Sequence, residues 1–308
     1  MSLSIVKQWM LGGYYAASLP WRRCAVARRA KQQTEPVRIL FYHRIADDHQ
    51  NGWTMPTAVF AKQVAWLRRW FDIVSLAEAQ ARVAAGRNRV PTVCITFDDG
   101  YADNLRFAVP LLLHHRVPFT YFVSTNYMVG GRPFPHDVQA GQPLQPNTVK
   151  ELQKLAAAGV EIGGHTRSHA DLGRHLSRTE LLDEIAGCKH ELEAVLKTPV
   201  RYFAFPYGQQ RNLSAEAFCV AYNAGYEGVC SAYGGYNYPG DDAFHLRRIH
   251  ADPEMIRFKN WLTVDNRKCR AQRDFDPGSY RETASLPARQ DRARVELLAP
   301  STDSMVAE

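Results

Sequence analysis

The sequence reads as a parallel α/β barrel. Short apolar, β-branched runs alternate with stretches of helical period about seven times between Val37 and Ile249, the pattern left by successive βα units. No glycine-rich dinucleotide loop is present, which sets the chain apart from open nucleotide-binding sheets. Polar clusters follow several of the strand-like runs, and the carboxyl ends of parallel strands are where a barrel assembles its site.

Val37 to Tyr42 is the first expected strand. A helix starts at Thr57, with Phe60, Val64, Leu67 and Phe71 at helical spacing. Asp72 to Leu76 reads as a strand, and an Ala-rich helix follows to about Ala85. Val90 to Phe97 is a buried strand, Leu105 to His115 a helix, and Val117 to Val123 a strand. Residues 147–158 are helical and Val160 to Gly163 extended. Ser177 and Glu180 have capping-box spacing ahead of a helix carrying Leu181, Leu182, Ile185, Cys188, Leu192 and Val195. Arg201 to Phe205 is a strand, 214–224 a helix, Tyr226 to Ser231 a strand, and Leu246 to Ile249 the last strand. Pro133 to Pro146 is a polar rim loop, rich in Pro and Gly.

Three regions are expected: an extension at 1–36, the barrel at 37–265, and a disordered tail at 266–308, where apolar periodicity ends. The chain has 308 residues, 45% apolar and 22% charged, the composition of a globular protein with a sizeable core. Its net charge of +7 suits an anionic partner such as a membrane surface or an acidic glycan, although Arg22, Arg23, Arg28, Arg29 and Lys31 near the start supply much of it. Scattered arginines without a reading motif argue against nucleic acid. The six cysteines, at 24, 94, 188, 219, 230 and 269, form no CxxC pair, so buried free thiols in a reducing compartment are expected.

The segment from Trp9 to Pro20 is too short and interrupted to span a bilayer and does not read as a secretory signal. With the arginines that follow, it either lies on a membrane surface or packs on the domain as a helix. The expected location is the cytoplasm, with the inner membrane face as the alternative. Nothing in the sequence sets the oligomeric state.

Four constellations carry chemistry. Asp98 and Asp99, followed by Gly100, end the strand at Val90 to Phe97. Adjacent carboxylates at a strand end are costly unless a cation neutralises them, and one of them can bind a metal while the other faces a water. His165 and His169 follow the next glycine-rich strand. Histidines four apart on one helical face can hold one ion, and two His with one Asp leave coordination positions open. Phe205-Pro206-Tyr207-Gly208 ends another strand, where the turn can aim the Tyr207 amide at a developing oxyanion. His43 ends the first strand and can serve as a general acid.

Together these motifs resemble the polysaccharide deacetylases of carbohydrate esterase family 4: Thr96 to Gly100, His165 to His169, and Phe205 to Gly208 stand in that family's order and approximate spacing, over roughly residues 37–262. The resemblance implies a distorted (β/α)7 barrel and a divalent metal, usually zinc, on Asp99, His165 and His169. It implies Asp98 as general base and Tyr207 at the oxyanion, with Phe205, Pro206 and His250 near the substrate. The substrate it implies is an N-acetylated glycan that loses acetate. An O-acetyl ester, a cyclic amide, or a glycan bound without turnover are the alternatives.

Two departures stand out. Where many members carry an Arg before the Pro-Tyr turn, this chain has Ala204, so Asp98 needs another partner among Arg201, Arg247 and Arg248. The late Leu-x-x-His motif is only partly matched by Leu246 to His250, whereas Tyr42-His43-Arg44 resembles the poly-N-acetylglucosamine deacetylase branch. His43 is therefore preferred as the acid, with His250 as its alternative.

Overall fold

The computed structural model describes residues 4–264, 275–278 and 280–283. Helix α1 (Ile5–Gln32) begins the chain, its first turn capped by the Ser4 hydroxyl, which accepts from the Lys7 amide. Strand β1 (Val37–Tyr42) follows and is buried along all six residues. Two short strands, β2 (Arg44–Ile45) and β3 (Thr54–Met55), form a separate parallel pair at the rim. Next come α2 (Thr57–Trp70), β4 (Asp72–Ile73), α3 (Leu76–Ala84) and β5 (Thr92–Phe97). β5 is also buried throughout and pairs in parallel with β1, from Val37 opposite Thr92 to Tyr42 opposite Phe97. Strands covered on both faces read as nearly continuous apolar runs, broken here by Arg38, Thr92 and Thr96, which is why these two were visible in the sequence.

The chain continues through α4 (Ala108–His114), β6 (Thr120–Val123), α5 (Thr125–Gly130), α6 (Pro135–Gln139), α7 (Val149–Ala157) and β7 (Glu161–Gly164). The expected capping box forms at Ser177, and its helix runs as α8 (Arg178–Leu181), a π-helical turn at Leu182–Gly187, and α9 (Cys188–Leu196). Then follow β8 (Tyr202–Ala204), α10 (Ala215–Asn223), β9 (Gly228–Cys230), β10 (His245–Leu246), β11 (Ile249–His250), α11 (Met255–Leu262) and α12 (Tyr280–Thr283).

The main sheet has the order β10-β9-β8-β7-β6-β5-β1-β11, with β4 flanking the start of β5, and its pairings are parallel. It is the curled sheet of a distorted β/α barrel. The single last strand expected at Leu246 to Ile249 is split in two. Its halves pair with opposite edges of the sheet, β9 and β1, so Arg247 and Arg248 bridge the gap in the curl. The helix expected from Leu105 to His115 is likewise interrupted, with a 3₁₀ turn at Ala102–Leu105 ahead of α4.

Strand alternation divides the core. Ile39, Cys94, Phe122, Tyr202, Ala204 and Cys230 form an inner cluster, whereas Leu40, Val93, Ile95, Phe97 and Phe203 belong to the larger cluster under the helices. Leu76, Ala79 and Val83 of α3 join the inner cluster. Gln80 of the same helix donates to the Glu227 and Ala243 carbonyls, so α3 spans the amino-terminal end of the curl. The carboxyl end stays open. Among the described residues, Cys94, Cys188, Cys219 and Cys230 are buried free thiols and Cys24 is exposed; Cys269 lies outside them.

Most of the tail expected at 266–308 lies outside the described residues. Within it, Phe275 and the buried Tyr280 stack near Phe218 and Phe244, so this part is packed against the barrel rather than free of it. No described helix is long and apolar enough to cross a membrane.

Candidate metal centre and active site

Asp98 and Asp99 leave the end of β5 in different directions because the backbone turns between them. Asp99 has φ 69° and Gly100 φ 71°. A Cβ on Gly100 would come within 2.8 Å of Val123, so the turn also requires the missing side chain. His165 follows β7. The expected helical face for the histidine pair does not form: 165–169 is a loop in which Thr166 (φ 61°) and His169 (φ 60°) adopt left-handed backbone. Two left-handed residues bend this loop back on itself and bring the imidazoles together without a helix. Its outer side is tied down by Glu184 on the π-helical turn, which accepts from the Ser168 amide at 2.9 Å.

Asp99, His165 and His169 offer ligand atoms that all lie within 4.8 Å of one another. Asp99 Oδ1 is 3.4 Å from His165 Nε2 and 3.2 Å from His169 Nε2. Yet that oxygen is buried and accepts no hydrogen bond. A buried carboxylate oxygen facing two ring nitrogens without a bond fits a cation ligand. The His165 ring is oriented for the same purpose. Its Nδ1 lies 2.7 Å from the Ala204 carbonyl, which can only accept, so Nδ1 carries the proton and the Nε2 lone pair points at Asp99. Burial works against the charge on Asp99, but the two histidines outweigh it and hold its pKa well below the usual carboxylate range. Burial also opposes charge on His165, but Asp99 and Asp98 outweigh it and raise its pKa.

Asp98 faces the barrel interior. Arg248, fully buried, donates from Nη1 to Asp98 Oδ1 at 2.6 Å and from Nη2 to Oδ2 at 2.9 Å. Its Nε donates to the Ser231 carbonyl, and its guanidinium lies over Phe41 and Phe122. Of the three arginines considered from sequence, Arg201 pairs with Glu161 and Arg247 with Asp241; only Arg248 reaches Asp98. Burial pushes the Asp98 pKa upward, but the adjacent guanidinium overcomes this and keeps the group ionised.

Both aspartates, His165 and His169 line a cavity of about 410 Å³, shared with His43, His250, Phe41, Tyr207 and Gln209. His43 Nε2 is 3.9 Å from Asp99 Oδ2. His250 stands at the edge with its ring 5.3 Å from Phe41; desolvation of the ring and the neighbouring His43 lower its pKa to about 4. Tyr207 is left-handed at φ 61°, its ring 5.0 Å from His169.

Phe205 and Pro206, expected at the substrate, are corrected: both are buried and neither lines the cavity. Alternation after β8 turns Phe205 outward, where it stacks on Phe218 of α10. Sequence reading missed Trp53 and His136, which also line the cavity with their rings 5.0 Å apart. His136 Nε2 is 3.2 Å from the Tyr101 hydroxyl, which donates to the fully buried Asp137. The one signal for His136 was its place in the rim loop from Pro133 to Pro146; Trp53 carried none.

Residues 85–229 match the family model of polysaccharide deacetylase. The Bacillus subtilis (strain 168) protein YxkH, named as a polysaccharide deacetylase, is 24% identical over 220 residues, covering 70% of this chain and 72% of that protein. A chitooligosaccharide deacetylase of Bradyrhizobium sp. (strain ANU 289) is 30% identical over 122 residues, covering 38% of this chain and 46% of the relative. Among solved structures, IcaB from Ammonifex degensii has the same fold, with a TM-score of 0.62 at 24% identity over 75% of this chain and 99% of that one. The matching family model, the related sequences and the shared fold place a polysaccharide deacetylase domain in residues 85–229 and mark the chain as an enzyme.

Proposed function

We propose that the chain removes the N-acetyl group from N-acetylglucosamine units of a polysaccharide or oligosaccharide, releasing acetate and leaving a free amine. One observation carries the reading: an unpartnered Asp99 oxygen between two histidines, in the same cavity as an arginine-clamped Asp98. The similarity to a chitooligosaccharide deacetylase favours an amide over an ester.

Asp99, His165 and His169 would hold a divalent metal, with zinc favoured by two imidazoles and one carboxylate. Bound there, such an ion would supply Lewis acidity, polarising an acetamide carbonyl and making a water acidic enough to deprotonate near neutrality. Asp98 is the general base. Held ionised by Arg248, it accepts the proton of the attacking water. The Tyr207 N–H donates to the carbonyl oxygen as charge builds on it; one donor of this kind contributes about 10²–10³-fold in rate. His43 delivers a proton to the nitrogen as the C–N bond breaks, since an unprotonated amine leaves poorly. His250 suits that task less: with a pKa of about 4 it holds no proton near neutrality. It contacts the sugar instead, as do Trp53 and His136 of the same cavity.

Acetate release by metal-loaded protein from chitooligosaccharides and from acetylxylan tests the reading. Release from the chitooligosaccharide is expected. Release from acetylxylan alone would reassign the site to esters, and release from neither, with metal bound, would make the barrel a binding module.

A further inference from the structure

Helix α1 carries an outward face that water does not suit. Its inner side is accounted for: Arg22 donates to Asn260 and Thr263 around α11, and Leu19 and Val26 face Trp66 and Phe71 across an apolar cavity of about 570 Å³. The outer side differs. At roughly 100° per residue, Ile5, Val6, Trp9, Met10, Gly13, Ala16, Ala17, Pro20 and Trp21 fall within one arc of about 160°, and all of them are exposed. Trp9 is 78% and Met10 70% exposed. No charged side chain interrupts this stripe over more than four turns. A solvent-facing helix surface is ordinarily its polar one.

Beyond Trp21 the same arc carries the exposed Arg23, Arg28 and Lys31. The first acidic residue of the sequence is Glu35. An apolar stripe running into a purely cationic end matches a bilayer interface, with acyl chains beneath and anionic headgroups around it. Crossing the bilayer is not the fit, since α1 is not long and apolar enough to span it.

We propose that α1 docks the enzyme on an anionic lipid surface, lying along it with Ile5, Val6, Trp9, Met10 and Trp21 inserted and Arg23, Arg28 and Lys31 among the headgroups. The barrel is thereby held at the membrane by an element that contributes nothing to the cavity containing Asp98 and Asp99.

The test is co-sedimentation of the full chain with phosphatidylcholine vesicles containing or lacking phosphatidylglycerol. Wild-type protein binds the anionic vesicles at low salt and leaves them as salt rises. The double variant Trp9→Ser/Met10→Ser binds at least tenfold more weakly. Each of Arg23→Gln, Arg28→Gln and Lys31→Gln costs about fivefold. Circular dichroism and thermal midpoint stay at wild-type values, because these side chains face solvent. Wild-type protein that ignores anionic vesicles at low salt overturns the proposal, as does undiminished binding by the double variant. If ultracentrifugation instead finds a dimer that the double variant loses, without vesicle binding by wild type, the stripe is a self-association surface and the lipid assignment is wrong.

Discussion

Arg248 holds both oxygens of Asp98 in a two-point clamp, and neither side chain is more than 4% exposed. The two residues lie 150 positions apart. They meet because the last strand is split, which places Arg248 between the two sheet edges. Where the family resemblance anticipates an arginine just before the Pro-Tyr turn, this chain has Ala204 facing the barrel interior, and Arg248 reaches Asp98 in its stead.

Replacing Arg248 by Met leaves Asp98 buried without its partner. Breaking a buried pair this way destabilises by about 3–5 kcal/mol. The loss should depend on pH. The folded pKa of Asp98 is depressed, so the clamp's contribution is complete above the unfolded value of about 4 and is lost as pH falls through the folded value. Urea unfolding of metal-free Arg248→Met and wild type should show a gap that is widest near neutrality and narrows in acid. A gap constant with pH would mean that lost packing on Phe41 and Phe122, rather than charge, is responsible.

Asp98→Asn and Asp99→Ala should separate chemistry from metal binding. The first removes the base but none of the three converging ligands, so bound metal stays near one per chain while kcat falls by about 10²–10⁴-fold. The second removes the carboxylate lying 3.4 and 3.2 Å from the two imidazoles, so metal and turnover should vanish together. Metal analysis beside an acetate assay reads both. Full turnover in Asp98→Asn would reject the base assignment.

Much of this was legible in the sequence, and what was not has identifiable causes. β1 and β5 were visible because both are buried on two faces and are apolar apart from Arg38, Thr92 and Thr96. Asp98, Asp99, His165 and His169 were visible because acids and imidazoles at strand ends have few inexpensive alternatives. The way the histidines converge was hidden: φ 61° at Thr166 and φ 60° at His169 leave no trace in residue type. Phe205 was misplaced because a strand only three residues long gives no period from which to tell its faces. Trp53 and His136 come from rim segments whose position depends on tertiary contacts, such as that between His136 and Tyr101.

Metal affinity should fall in acid. Asp99 and Asp98 raise the pKa of His165 above its ordinary value of about 6.5 against the opposing effect of burial, so the metal-free imidazole keeps its proton to higher pH. A ligand must shed that proton, and binding therefore releases it. Titrating zinc into chelator-treated protein in buffers of different ionisation enthalpy should show proton uptake by buffer that grows from pH 8 toward pH 6. Proton release that stays at zero throughout would show that His165 is not a ligand.

His43 and His250 make opposite predictions as acids. His43 Nε2 lies 3.9 Å from Asp99, inside the cavity, whereas His250 stands at the rim with its pKa lowered to about 4. A group that is neutral from pH 5 upward has no proton to give, so the loss of His250 should act on binding. His250→Ala is expected to raise KM several-fold with kcat nearly kept. His43→Ala should lower kcat by about 10²–10⁴-fold, the range for a lost acid, at nearly unchanged KM. The choice is decided by leaving groups as well. An acetyl ester with a good leaving group needs little protonation, so His43→Ala should keep far more of its activity on 4-nitrophenyl acetate than on an acetylated chitooligosaccharide. If His250→Ala shows that pattern and His43→Ala does not, the proton comes from the rim.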